Sequence, residues 1–164
     1  MGLVKDWRRP TIVCILLDAN FLMMSGQFKI NIFSELDRIV ESKYVLVVLS
    51  ATVKELEKLL GHEKPKIQQQ VSLALKIVER CEVRKADCLP NENVDDLIVR
   101  YAMENKCIVS TNDKELRKKL RRNHIAVIYL RQKAFLALDG NIPQSFEKRD
   151  MFINKNPKNG SFKS

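Results

Sequence analysis

The chain has 164 residues, 45% of them apolar, which is enough for one domain with an ordinary hydrophobic core and too apolar for a disordered polymer. Its 29 Lys and Arg outnumber 20 Asp and Glu, and the resulting formal charge of +9 favours a polyanionic partner, nucleic acid first. No apolar run reaches transmembrane length and no glycine-rich phosphate loop occurs, so membrane spans and nucleotide-driven chemistry are set aside.

The first apolar run, Thr11–Leu17, follows Arg8 and Arg9 as a signal peptide might, but it is short, lacks a small-residue cleavage site and ends in Asp18. A buried strand of an intracellular protein is the expectation. A helical pattern over Ile30–Glu41 leads to a second strand, Tyr44–Leu49. The next helix, Ala51–Leu60, has Ser50 or Thr52 to cap it and Gly61 to end it. Pro65 opens a helix running to Arg80, and a weaker strand covers Cys81–Arg84. Asn93 stands where a cap precedes the helix Val94–Asn105. Strand Cys107–Ser110, helix Lys114–Arg122 and strand Ile125–Leu130 follow. Near-continuous Val, Ile and Leu in these strands requires a sheet covered on both faces. Alternating strands and helices predict an α/β fold, a parallel-sheet three-layer α/β/α sandwich. The domain is expected over residues 1–138, and a basic, loosely ordered tail over 139–164. Cys14, Cys81, Cys88 and Cys107 form no Cys-x-x-Cys pair and are expected as reduced thiols, Cys14 and Cys107 in the core.

Four acidic motifs fall where a strand ends or a helix begins. They are Leu-Leu-Asp-Ala-Asn with Asp18 and Asn20, Thr-Val-Lys-Glu-Leu with Glu55, Val-Asp-Asp-Leu-Ile with Asp95 and Asp96, and Ser-Thr-Asn-Asp with Thr111 and Asp113. Singly, each acid can be a turn former, a helix cap or a helix-dipole partner. Jointly they fall at the carboxyl end of one sheet, where carboxylates form an oxygen-rich site for Mg²⁺ or Mn²⁺ and phosphodiester hydrolysis. Asp95 heads a stripe continued by Ile98 and Ala102, whereas Asp96 is less clearly aligned, so the choice between them stays open. Asn20 could hold a metal-bound water. The helix after Asp113 carries Lys114, Arg117, Lys118, Lys119, Arg121 and Arg122 against Glu115, and with Arg131 it is a candidate grip on RNA phosphates. Lys54, Lys58, Lys64, Lys66 and Lys133 could extend it. His62 and His124 lie outside the motifs.

These motifs, in this order, resemble the PIN domain family of metal-dependent ribonucleases over roughly Ile12 to Leu138. Asp-Asp-Leu-Ile-Val at 95–99 and Ser-Thr-Asn-Asp-Lys-Glu-Leu-Arg-Lys-Lys-Leu-Arg at 110–121 bring it nearest to the small-subunit processome PIN endonucleases and their archaeal relatives. The resemblance implies metal ligands Asp18, Glu55, Asp95 and Asp113, with Asp96 as a further candidate. It also implies precursor ribosomal RNA as substrate, ribosome-assembly proteins or a second copy as partners, and a cytoplasmic location if archaeal or nucleolar if eukaryotic. Three other readings stand beside it: a toxin ribonuclease of a toxin–antitoxin pair, a non-catalytic RNA-binding scaffold, and a receiver-type signalling domain. The last is disfavoured because Ser50 stands where its phosphoacceptor Asp would be.

Overall fold

A computed structural model describes residues 12–143. Arg8, Arg9, Thr11 and the expected tail from residue 144 onward lie outside the described residues. In chain order the elements are β1 (Ile12–Leu17), α1 (Ala19–Gln27), α2 (Ile32–Ile39), β2 (Lys43–Leu49), α3 (Ser50–Leu59), α4 (Pro65–Val78), β3 (Glu82–Arg84), α5 (Val94–Asn105), β4 (Ile108–Ser110), α6 (Lys114–Arg122), β5 (Val127–Arg131) and β6 (Phe135–Asp139). They build one six-stranded sheet in the order β3-β2-β1-β4-β5-β6, parallel throughout except for the antiparallel pairing of β6 on β5. Helices cover both faces, as the run of apolar residues in β1 and β2 demands.

Alternation along each strand divides the core in two. Val13, Ile15 and Leu17 face one side with Phe21, Leu36, Leu56 and Val71, beneath α1 to α4. Leu16, Val47 and Val109 face the other, with Leu97, Ile98, Leu116 and Leu120 of α5 and α6. Because strands run parallel, the carboxyl ends of β1, β2, β4 and β5 share one edge, and the chain segments that follow them meet there.

Several elements differ from the sequence reading. Helix α1 was not expected. It starts straight after Asp18, has no acid in its first turn, and is held by packing on α4, where a Cβ at Gly26 would stand 3.2 Å from the Leu73 Cβ. Strand β6 was not expected either, because the turn before it carries no glycine. Its Leu136 is sealed by α2: the amide donates to Glu35 Oε1 at 2.8 Å and the carbonyl accepts from Arg38 Nη2 at 2.8 Å, which removes open strand edge. Neither Ser50 nor Thr52 caps α3; Ser50 Oγ accepts from the Ala86 amide, and Thr52 Oγ1 is buried without a partner. Asn93 does cap α5, accepting from the Asp96 amide at 2.8 Å.

The expectation of four reduced thiols is corrected. Cys14 and Cys107 are joined by a disulfide, with Cα atoms 4.6 Å apart and a sequence separation of 93. Ile15 pairs with Ile108 in the β1–β4 ladder, so the residues one step earlier face each other across neighbouring strands. Cys81 and Cys88 are free, the former half-buried with its thiol pushed up to about 11 by desolvation, the latter exposed.

Candidate active site at the carboxyl edge of the sheet

Asp18 is only 7% exposed, an unusual position for a carboxylate. Its backbone begins α1, with the carbonyl accepting from the Leu22 amide, but its side chain makes no cap bond. Instead Oδ2 accepts from Thr111 Oγ1 at 2.7 Å. The same Thr111 hydroxyl accepts from the Asp113 amide at 3.1 Å, so one buried side chain ties the end of β1 to the turn after β4. The backbone reinforces this link, the Asp18 amide donating to Ser110 O at 3.1 Å.

Asp113 occupies the N-cap of α6. Both cap bonds, from the amides of Glu115 and Leu116, go to Oδ1, which leaves Oδ2 available. Asp95 stands half-buried in the first turn of α5, and Glu55 lies one turn into α3. Asp96, beside Asp95, is ion-paired to Lys119 Nζ at 3.1 Å. Asn20 is exposed in the first turn of α1.

The acids feel one another. Burial raises the Asp18 pKa to about 6, the Thr111 bond opposes that rise, and the charges of Asp95 and Glu55 add to it. Glu55 is raised by desolvation first and by Asp95 second. Asp95 is raised by desolvation and then by Asp113, with Lys119 opposing and Asp96 adding. Asp18, Glu55, Asp95 and Asp113 therefore form one repelling group, whereas Asp96 is the member already offset by a lysine. Among the described residues no three acidic, His or Cys side chains converge into a ready-made cage for a metal ion. The donor set is nonetheless all oxygen and carries excess negative charge, the chemistry that suits Mg²⁺ or Mn²⁺ over softer ions. The residues present fit such an ion.

The basic residues of α6 do not act as one face. Arg117 lies over the Tyr129 ring at 3.8 Å and reaches Asp139 at 3.7 Å, while Arg121 reaches Asp139 at 3.4 Å and donates to Ile125 O. Asp139 pairs with Val127 at the start of β5, so these two arginines point to the sheet edge opposite the acids. Lys119 is turned towards α5. Lys114, Lys118 and Arg122 remain exposed, Lys118 within 3.9 Å of Glu115. Arg131 ends β5 on the acids' own edge. Asn112 fixes it there by bracketing Leu130, donating to its carbonyl at 2.9 Å and accepting from its amide at 2.8 Å. The charge pattern gave no sign of Asn112, whose role depends on β5 lying beside β4.

The topology and this cluster define an α/β domain with an acidic site at its strand ends. The chain belongs to the PIN like domain family, which it matches over residues 15–133, and PIN domain nucleases are ribonucleases. Ribonuclease VapC4 of Methanocaldococcus jannaschii is 36% identical over 129 residues, 78% of this chain and 98% of that protein. The rRNA-processing protein fcf1 of Schizosaccharomyces pombe is 32% identical over 110 residues, 66% of this chain but 53% of that protein, so the chain spans about half its length. Among solved structures, the PIN domain endonuclease Utp24 superposes with a TM-score of 0.65 at 27% identity, covering 79% of this chain and 92% of its own.

Proposed function

We propose that this chain is a divalent-metal-dependent RNA endonuclease in which Asp18, Glu55, Asp95 and Asp113 hold Mg²⁺ or Mn²⁺. The observation that carries this reading is the buried Asp18 carboxylate, fixed by Thr111 and raised in pKa by burial first and then by the charges of Asp95 and Glu55. Clustering like charges at such cost has a purpose when a cation joins them. Thr111 orients Asp18, the α6 cap holds Asp113 with one oxygen free, and the Asn93 cap sets the turn bearing Asp95. A divalent ion held there would polarise the scissile phosphate and lower the pKa of the attacking water. Cleavage of single-stranded RNA with Mn²⁺, lost with EDTA, tests the reading; no cleavage under any divalent ion would refute it.

The biological role we favour is precursor ribosomal RNA processing, with ribosome-assembly proteins as partners. Similarity to the fission yeast rRNA-processing protein and to Utp24 supports it. A second reading is a toxin ribonuclease held by an antitoxin, which the similarity to VapC4 over nearly its whole length supports. Expression separates the two: a toxin arrests growth unless its Asp18→Asn form is used, whereas a processing enzyme cuts a defined precursor without arrest.

A further inference from the structure

The hairpin joining β5 to β6 is closed by the Ala134 amide donating to Arg131 O at 3.1 Å, with Gln132 at φ 55° and Lys133 at φ 57°. Positive φ at both central residues is the arrangement of a type I′ turn, for which Asn-Gly is the usual occupant. Gln and Lys are costly there, since a side chain in the left-handed region is strained. Among the described residues only this turn places two consecutive side chains in that region, and strain held at such a place points to a purpose.

The position of the turn suggests that purpose. It rises from the acids' edge, β5 being separated from β1 by β4 alone, or about 10 Å at the usual strand spacing. Arg131 and Lys133 are exposed, and Lys133 Nζ stands 5.6 Å from the Phe28 ring, beside exposed Lys29, itself at φ 54°. Among the described residues none of these three cations has a carboxylate within ion-pair distance, in contrast to Arg117, Lys119 and Arg121.

We propose that the Arg131–Ala134 turn, with Lys29, is the phosphate-binding rim that receives the RNA strand beside the acidic site. The proposal rests on the ribonuclease reading and locates its substrate. RNA then runs from the turn across the ends of β5 and β4 to Asp18, and the arginines of α6 take no part in gripping it.

Binding of a single-stranded RNA oligonucleotide to the full chain, measured across a range of KCl in Ca²⁺ to suppress cleavage, tests this. Each lost phosphate contact reduces the slope of log affinity against log salt by about 0.7, equivalent to about fivefold in affinity at 0.1 M salt. Arg131→Gln with Lys133→Gln should lose about two contacts, while Lys43→Gln with Lys106→Gln, at the opposite edge, should lose none. Gln132→Asn with Lys133→Gly should melt higher by about 2–4 °C as strain is relieved, yet bind about fivefold more weakly. An unchanged slope for the Arg131 and Lys133 variant, or full affinity in the Asn-Gly variant, overturns the proposal. Neither readout depends on cleavage, so RNA that binds through this turn in Ca²⁺ but stays uncut when Mn²⁺ replaces it would instead overturn the ribonuclease reading alone.

Discussion

Two charge clusters, one at the carboxyl edge of the sheet and one along α6 on its face, are handled in opposite ways. At the carboxyl edge, Asp18, Glu55 and Asp95 are held where burial and mutual repulsion raise their pKa values, opposed by the Thr111 hydroxyl, the Ala19 amide and the charges of Lys58 and Lys119. Along α6, a denser run of charge is largely offset: Asp139 takes Arg117 and Arg121, Asp96 takes Lys119, and Tyr129 lies beneath Arg117. The density of charge in the sequence therefore misleads about which charges are available. What marks a site is charge that the fold brings together and leaves uncompensated.

Breaking the acidic cluster should produce the largest effect. Asp18→Asn or Asp113→Asn removes a formal charge with little change in shape, and RNA cleavage should fall by on the order of 10²–10³-fold or more while the fold stays intact. Circular dichroism checks the fold and a gel assay with Mn²⁺ checks the activity. Full activity of Asp113→Asn would remove that residue from the site. If Asp96→Asn is the inactive variant and Asp95→Asn is active, the ligand at the head of α5 has been misassigned.

The covalent link beneath the acids comes next. The Cys14–Cys107 disulfide joins the two strands that carry Asp18 and Thr111, and nothing comparable braces α6. Its removal by Cys14→Ser with Cys107→Ser should lower stability by about 2–4 kcal/mol, read by urea unfolding. Thiol counting on the denatured, unreduced chain should find Cys81 and Cys88 alone. Four reactive thiols would contradict the pairing.

The acids also set a pH signature. The folded pKa of Asp18 is raised from 3.8 to about 6, so the folded state keeps a proton that the unfolded state gives up. Stability from this group is complete below about pH 4 and is lost as pH rises to about 6, amounting to about 3 kcal/mol. Asp18→Asn should abolish that decline and be the more stable protein at pH 7 without added ion. Mg²⁺ or Mn²⁺ should restore stability to the wild type and not to the variant, because cation and proton compete for the same carboxylate. A wild-type melting temperature insensitive to pH between 4 and 7 would show that Asp18 is not desolvated.

Much of this could be read from the chain before any coordinates. The Val, Ile and Leu runs of β1, β2 and β4 announced a parallel sheet, and its polarity put all four acidic motifs at one end. What could not be read depended on pairing between distant segments. Cys14 meets Cys107 only through the β1–β4 register, and Thr111 reaches Asp18 across 93 positions. β6 was hidden because Gln132-Lys133 is not a glycine turn, and α1 because its helical state comes from packing against α4 more than from capping. Arg117 and Arg121 read as RNA ligands in the sequence, and only the fold shows that both lie against Asp139 of β6. A residue type at a given spacing shows what chemistry is available; its partner across the fold decides whether that chemistry is used.

Asp139 gives the smallest and most discriminating test of the contrast between the acidic edge and α6. Its ion pairs with Arg117 and Arg121 are partly exposed, with side-chain exposures of 30% and 38% for the arginines and 43% for the acid, so solvent and salt weaken them. Arg117→Ala should cost somewhat more than an exposed pair alone, since it also uncovers the Tyr129 ring, and about 1 kcal/mol in total is expected. Asp139→Asn should cost about 0.5 kcal/mol and release both guanidinium groups. If α6 is structural, neither change should alter RNA affinity in Ca²⁺, and the stability loss should shrink as KCl is raised. If Arg117→Ala leaves stability untouched but weakens RNA binding, α6 is an RNA surface after all, and its arginines leave Asp139 when the substrate arrives.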